Sequence, residues 1–344
     1  MKRIFRLFLV VIALGLAIGG YLGYFVFLHQ HQPASTEGKN NILYIYPEEN
    51  YGKVKVGLLK IFPDLEEWHL TLLAEQMNYT DHVKPGRYVF RGKYSLSKIM
   101  RKLKSAEQDA VRFSFVKYRN LSDMAGTVGK ITLVDSNELR SWLADTSIWS
   151  NYSMNPTHLL TYFIPNTYEL YWTTNTDGFI KRMKKEYDRF WTTERMEKAK
   201  SLGLTIEQVS VLASIVNEET IKTDEKPKVA GLYWNRVNKG MLLQADPTVK
   251  FALGNFELRR IWEKDLQVNS PYNTYRFKGL PPGPINTPSI EDLDAVLNLQ
   301  KHSFIYMCAK EDFSGYHNFA ENESQHNQNA QKYRKALSSR KIYR

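Results

Sequence analysis

From Leu7 to Leu28 the chain carries no charged residue, and Lys2, Arg3 and Arg6 stand directly before that stretch. As one helix such a run spans on the order of 30 Å, the thickness of a bilayer core. A cleavable signal has a shorter apolar region followed by small residues. Here the run ends in Phe25-Val26-Phe27-Leu28 and passes to His29-Gln30-His31, with no A-x-A site. The reading is a signal anchor: residues 1–28 form a cytoplasmic stub and a transmembrane helix. The flanking cations place the N-terminus in the cytoplasm and the rest of the chain outside it. A cleaved signal is the alternative. No later segment is apolar enough to span, so a single-pass protein is expected.

The 344 residues leave room for an anchor and two domains. Hydrophobic residues make up 43%, which supports a real core and excludes a disordered chain. The formal net charge of +11 suits nucleic acid, anionic lipid or an acidic polymer. The basic residues are scattered and form no long block, which argues against nucleic acid. The one cysteine, Cys308, excludes an intramolecular disulfide and a thiol zinc framework. It lies in the apolar run Phe304–Ala309 and reads as a small buried strand residue.

The pattern is that of an α+β chain. Residues 29–41 are polar and read as a linker. Residues 42–118 read as a small α+β domain. Its strands are Ile42–Tyr46 and Arg87–Phe90, the second following the Lys84-Pro85-Gly86 turn, and its helix runs over Ser95–Leu103. Residues 119–344 form a larger α+β domain. Helices are expected at Thr174–Thr192, Thr205–Lys222 and Lys226–Asn238, followed by a turn-rich stretch from Gly240 to Pro288. A short helix at Ser289–Asn298, a strand at Phe304–Ala309 and a helix at Ser324–Leu337 complete it.

The most informative segment is Thr205–Thr220. Thr205 with Gln208 makes a capping box, so the helix starts there. At 100° per residue, Val209, Leu212, Ile215 and Val216 cluster on one side. Ser210, Ser214 and Asn217 fall on the other, with Glu218 at the edge of that polar side. Glu219 falls within the apolar arc. A carboxylate there is costly to ionise, burial raises its pKa, and a value near 6–7 suits a general acid. The wheel therefore nominates Glu219 over Glu218. Without further evidence Glu219 reads first as a helix-end carboxylate paired with a nearby Lys or Arg, because helix ends protrude from cores. No G-x-S-x-G, H-E-x-x-H, Walker or G-x-G-x-x-G motif supplies a partner, and His317 and His326 make a weak metal pair. A lone acidic catalyst would suit glycoside cleavage.

Several ordered blocks carry a resemblance: Ala213–Thr220, Lys228-Val229-Ala230, Asn235-Arg236, Leu243–Val249, Ser270–Tyr275, Gly279–Ile285, and His317-Asn318-Phe319, with a weaker Phe163–Tyr168. In order and spacing they resemble the endolytic murein transglycosylases, the MltG or YceG-like family, from about Phe163 to the C-terminus. The family's catalytic glutamate directly precedes threonine and maps onto Glu219, in agreement with the wheel. Asn217 and Asn166 depart from acidic residues common in the family, and Asn217 puts in doubt a helper carboxylate at that position. The resemblance implies cleavage of the MurNAc–GlcNAc β-1,4 bond within peptidoglycan strands, leaving 1,6-anhydroMurNAc ends and terminating nascent glycan elongation. It further implies a LysM-like small domain, an inner-membrane location with the catalytic domain periplasmic or extracytoplasmic, and peptidoglycan synthases as partners. It implies no cofactor and no metal.

The blocks also supply candidates for substrate binding. The Asp246-Pro247 step favours turn geometry and places Gln244, Asp246 and Thr248 on a loop as hydrogen-bonding groups. Tyr272-Asn273-Thr274-Tyr275 combines aromatic faces with amide and hydroxyl groups, a composition suited to sugars. Asn235, His317 and Asn318 join them. Each of these reads as well as a structural residue. The run Leu280-Pro281-Pro282-Gly283-Pro284 is rigid and shapes a cleft wall. Two other readings stay open: a hydrolytic muramidase, needing Asp246 or Glu218 as second carboxylate, and a non-catalytic wall-binding scaffold.

Overall fold

The computed structural model describes residues 2–30, 33–35, 41–147, 149, 152, 154–258 and 260–340. Helix α1 runs over Lys2–Gln30. Among the described residues no single helix is long and apolar enough to cross a membrane; the apolar helical stretch is Leu9–Phe25. The chain divides into two compact units. One holds Met1–Arg112 with Ile131–Leu133 and Glu169–Thr174, the other Phe113–Lys130, Val134–Tyr168 and Asn175–Arg344.

In the first unit, strand β1 is Pro33–Ser35 and β2 is Asn41–Ile45. Helices α2 (Tyr51–Ile61) and α3 (Glu67–Gln76) follow. Strands β3 (Gly86–Phe90) and β4 (Lys93–Ser95) then lead into α4 (Leu96–Lys104). Strands β2 and β3 pair antiparallel, from Asn41 opposite Phe90 to Ile45 opposite Gly86. Helices α2 and α3, unanticipated in the sequence, fill the connection between them. Asn50 starts α2 by accepting from the Lys53 N–H. Ser95 caps α4 by accepting from the Lys98 N–H, as its position before the apolar spacing predicts. Ile45, Leu58, Phe62, Leu70, Tyr88, Phe90 and Ile99 close into one core.

Within the stretch read as a linker, Pro33–Ser35 pairs antiparallel with Lys93–Ser95. An edge strand offers unpaired backbone groups, and proline is tolerated at a strand's first residue. The rest of that linker, residues 31–32 and 36–40, lies outside the described residues, as do 341–344 at the end of the larger domain.

Strand β5 is Val111–Ser114. In the second unit, α5 (Leu121–Gly129) and α6 (Ser136–Ala144) pack on each other. A 3-10 turn, Pro156–Tyr162, and strand β6 (Thr167–Leu170) lead to α7 (Thr176–Phe190) and α8 (Thr193–Ser201). The centre is α9, Ile206–Glu219, against which α8, α10 (Lys226–Asn238), α11 (Asp246–Leu253) and α12 (Ile290–Leu297) pack. A hairpin of β7 (Tyr306–Ala309) and β8 (His317–Ala320) precedes α13 (Glu323–Ser339). Cys308 lies in β7 and is partly rather than fully buried.

Two sequence expectations change here. All eight residues Val209–Val216 are buried, so the middle of α9 lies in the core all round, while Gln208 before it is exposed and Asn217–Glu219 after it are part-exposed. Its serine stripe bonds inward: the Ser214 hydroxyl donates to the Val211 carbonyl and accepts from the Ile285 N–H at 3.0 Å. The stretch from Gly240 to Pro288 is not all turns, because Asp246–Leu253 is helical. Pro247 stands in the first turn, where a missing N–H costs nothing. Asp246 and Thr248 thus sit on a helix start rather than a loop.

Candidate active site

Helix α9 ends at Glu219 because Thr220 turns extended and its hydroxyl donates to Glu225 at 3.0 Å. Buried Glu225 also accepts from the His317 N–H at 2.8 Å, and its carboxylate lies 2.8 Å from the His317 ring Nδ1. This ties the end of α9 to β8 and sets the rotation at which Glu219 is presented.

Glu219 Oε1 accepts from the Tyr233 hydroxyl at 2.8 Å. Burial pushes the Glu219 carboxyl up to about 7; the Tyr233 bond pulls against that rise, and the nearby charge of Asp246 adds to it. The residue still has a part-exposed surface, while its carboxyl is poorly hydrated. Burial and the Glu219 charge hold the Tyr233 hydroxyl well above its ordinary value, so it stays a donor. Three residues on along α10, buried Arg236 reaches the Gln244 side-chain oxygen at 2.6 Å and covers the Tyr306 ring at 5.6 Å. The Tyr275 hydroxyl donates to Asp246 at 2.6 Å. Tyr233 thus touches the acid, Asp246 and Tyr275 stand near enough to interact with its charge, and Arg236 lies one turn along α10 from Tyr233.

Glu218, one residue earlier, has a different environment. Burial would raise it, but Arg119 and Lys117 prevail and hold its carboxyl below the ordinary range. Arg119 grips it at 2.7 and 2.8 Å, Lys117 approaches to 3.1 Å, and Asn286 donates at 2.8 Å. Of the two adjacent glutamates, one is a locked anion and the other a proton carrier near neutrality. Asn217 donates to buried Asp292 at 2.6 Å. An amide suits this place, since a carboxylate would face another carboxylate.

The other sequence candidates divide by what their polar atoms do. Gln244, Asp246 and Tyr275 stand in the cluster around Glu219. His317 is held by Glu225, its ring Nδ1 2.8 Å from that carboxylate. Tyr272 packs its ring on Phe251 at 4.8 Å. Asn235 donates to the His302 and Phe304 carbonyls. Asn273 is fully buried and donates to the Leu266 and Val268 carbonyls. Thr274 accepts from the Ala245 N–H, and its hydroxyl meets that of Thr248 at 2.8 Å. Asn318 donates to Glu311 at 2.6 Å. Sequence reasoning missed Tyr233, Arg236 and Glu225 as site members. For the first two, the i, i+3 spacing on α10 was the available sign.

The fold and the site define a helix-centred α+β unit that presents one near-neutral carboxyl. The chain belongs to the YceG-like family, whose model matches residues 56–332. It is 27% identical to a Streptococcus pneumoniae protein named endolytic murein transglycosylase, over 94% of this chain and 63% of that one. It is 33% identical to a Bacillus subtilis protein of the same name, over 57% of this chain and 54% of that one. The chain thus spans less than two thirds of the length of either relative. A crystal structure of a YceG-like protein from Listeria monocytogenes shares the fold, with a TM-score of 0.54 and 21% identity, covering 84% of this chain and 98% of that one.

Proposed function

We propose that the chain is an endolytic lytic transglycosylase of peptidoglycan, with Glu219 as its acid and base. The observation that carries this is a single carboxyl lifted to about 7 and held by Tyr233, in a chain similar over 94% of its length to a protein named endolytic murein transglycosylase. With Oε1 occupied by Tyr233, protonated Glu219 delivers its proton to the oxygen of the MurNAc–GlcNAc β-1,4 bond as that bond breaks. The resulting carboxylate takes the proton of the MurNAc C6 hydroxyl as that oxygen bonds to C1. The product end is 1,6-anhydroMurNAc, and Glu219 ends protonated again. The nucleophile is tethered to the reacting sugar, so its attack carries no bimolecular entropy cost.

Gln244, Asp246 and Tyr275 are the substrate-facing residues of this reading. Helix α1 anchors the chain in the cytoplasmic membrane, supported by the uncharged run from Leu7 to Leu28 behind three cations. Residues 42–118 form a LysM-like domain and 119–344 the catalytic domain, both outside the cytoplasm. A cut made close to the membrane ends elongation of a nascent strand, which makes peptidoglycan synthases the expected partners.

The test is mass spectrometry of glycan strands digested in heavy-oxygen water. Anhydro ends without label are expected. Hydrolysis is the second reading, because Asp246 lies close enough to act on the Glu219 carboxyl and is a potential second carboxylate. Predominantly reducing, label-bearing MurNAc ends would promote it and sink the transglycosylase reading.

A further inference from the structure

A cavity of about 570 Å³ opens at the other end of α9, lined among others by Asn155, His158, Gln208, Trp234, Pro281 and Pro282. Its wall is the proline-rich run that the sequence marks as rigid. That wall is locked in place, since a Cβ on Gly283 would come within 2.3 Å of the Thr157 carbonyl. Trp234 is half-buried and presents an aromatic surface. The His158 Nδ1 is buried without a hydrogen-bond partner, which leaves a polar atom unsatisfied beside the cavity. Gln208 is exposed; its side-chain oxygen is taken by the Thr205 N–H, leaving its amide N–H groups to donate. An aromatic face beside a free amide is the chemistry that holds a sugar ring: apolar CH faces on the indole, hydroxyls and acetamide on the Gln208 amide.

Gln208 and Glu219 are eleven positions apart on α9, which is three turns plus about 20°. They therefore share one face and stand on the order of 16 Å apart along the axis. No single sugar bridges that separation, but one strand of several sugars does.

We infer that the Trp234–His158 cavity is a distal saccharide subsite, filled by a ring of the same glycan strand that Glu219 cuts. It rests on the glycan-strand reading above and adds where the strand runs. The cavity makes long strands better substrates than short ones and sets how far from a strand end the cut falls.

The test separates binding from cleavage. In the Glu219→Gln full-length chain, binding of long peptide-free glycan strands and of short fragments is measured by calorimetry. Trp234→Ala should weaken long-strand binding roughly 3- to 10-fold, the range of an aromatic contact, with no change for short fragments. Trp234→Phe should restore it to within about twofold. In the cleaving chain the same loss should fall on KM for long strands and not on kcat. Equal losses for long and short ligands would overturn the subsite. So would a fall in kcat with KM unmoved, since Trp234 would then merely support neighbouring Tyr233. No effect at either length overturns it as well. Should Trp234→Ala fail to fold, His158→Ala takes its place under the same comparison. If nothing is cut but the Trp234-dependent binding persists, the cleavage reading fails and the subsite stands. If anhydro ends form equally from long and short strands in every variant, the subsite alone fails.

Discussion

Replacing Glu219 with Gln should abolish cleavage and, at the same time, stabilise the protein at alkaline pH. The folded chain lifts the Glu219 carboxyl from 4.5 to about 7, so it holds that proton more tightly than the unfolded chain does. Stability from this group is therefore full below pH 4.5, declines as pH rises toward 7, and is flat above. The full displacement corresponds to roughly 3 kcal/mol, each pKa unit carrying about 1.4. Glu219 keeps a part-exposed surface, and solvent screening leaves about 1–2 kcal/mol of it. Glutamine still accepts from Tyr233 but carries no charge to desolvate. The variant should thus melt close to wild type at pH 5 and above it at pH 8. At roughly 2–4 °C per kcal/mol for a unit of this size, the gain is about 2–8 °C. The assay is thermal unfolding of the full chain by tryptophan fluorescence at both pH values, beside glycan cleavage. Wild-type kcat/KM should itself fall as pH rises past about 7. An equal shift in melting at pH 5 and pH 8, or a destabilised variant at pH 8, would refute the idea of a buried carboxyl forced to ionise.

Glu218→Gln should cleave far better than Glu219→Gln but lose stability on the order of 1–3 kcal/mol, because it strands Lys117 and Arg119; urea unfolding and sacculus digestion check both, and equal inactivity of the two variants would reverse the assignment. Tyr233→Phe removes the 2.8 Å bond that pulls the Glu219 carboxyl down. Such a bond is worth about 1.5–3 kcal/mol, so the alkaline limb of kcat/KM should move up by about 1–2 pH units; a limb that stays or moves down would show that Tyr233 does not control the acid.

How far the sequence reaches depends on which force sets each feature. The Thr205–Gln208 capping box is a local rule, and it starts α9 where the spacing predicts. The span of α10 was legible too, with Pro227 in its first turn, where a fixed φ suits a helix start. Helix α11 was hidden because Pro247 signals a turn and a helix start alike, and only packing against α9 decides between them. Periodicity sorts apolar from polar, not solvent from an internal partner. The wheel therefore put Ser210 and Ser214 on a polar side, which the core buries all the same. It still set Glu219 apart from Glu218, because that choice needed only the apolar neighbours Leu212, Ile215 and Val216.

The same limit explains why polar residues in the matching blocks were hard to sort. Asn273 and Thr274 have the composition of sugar contacts, yet their amide and hydroxyl groups are spent on backbone and neighbouring hydroxyls inside the fold. A buried polar side chain must find a partner wherever the chain provides one, and a residue's type does not say whether that partner is a loop carbonyl or a ligand. Tyr233 and Arg236 present the reverse case. Alone on α10 they look like an ordinary half-buried pair, and they join the candidate site only because α10 packs across the end of α9. What distinguishes Glu219 from Glu218 is likewise remote in sequence. Arg119 and Lys117, about a hundred positions away, neutralise one glutamate, while its neighbour meets a tyrosine and no cation within salt-bridge reach among the described residues. The difference between a structural anion and a near-neutral acid is thus set by which partners the tertiary fold brings to two adjacent and chemically identical side chains.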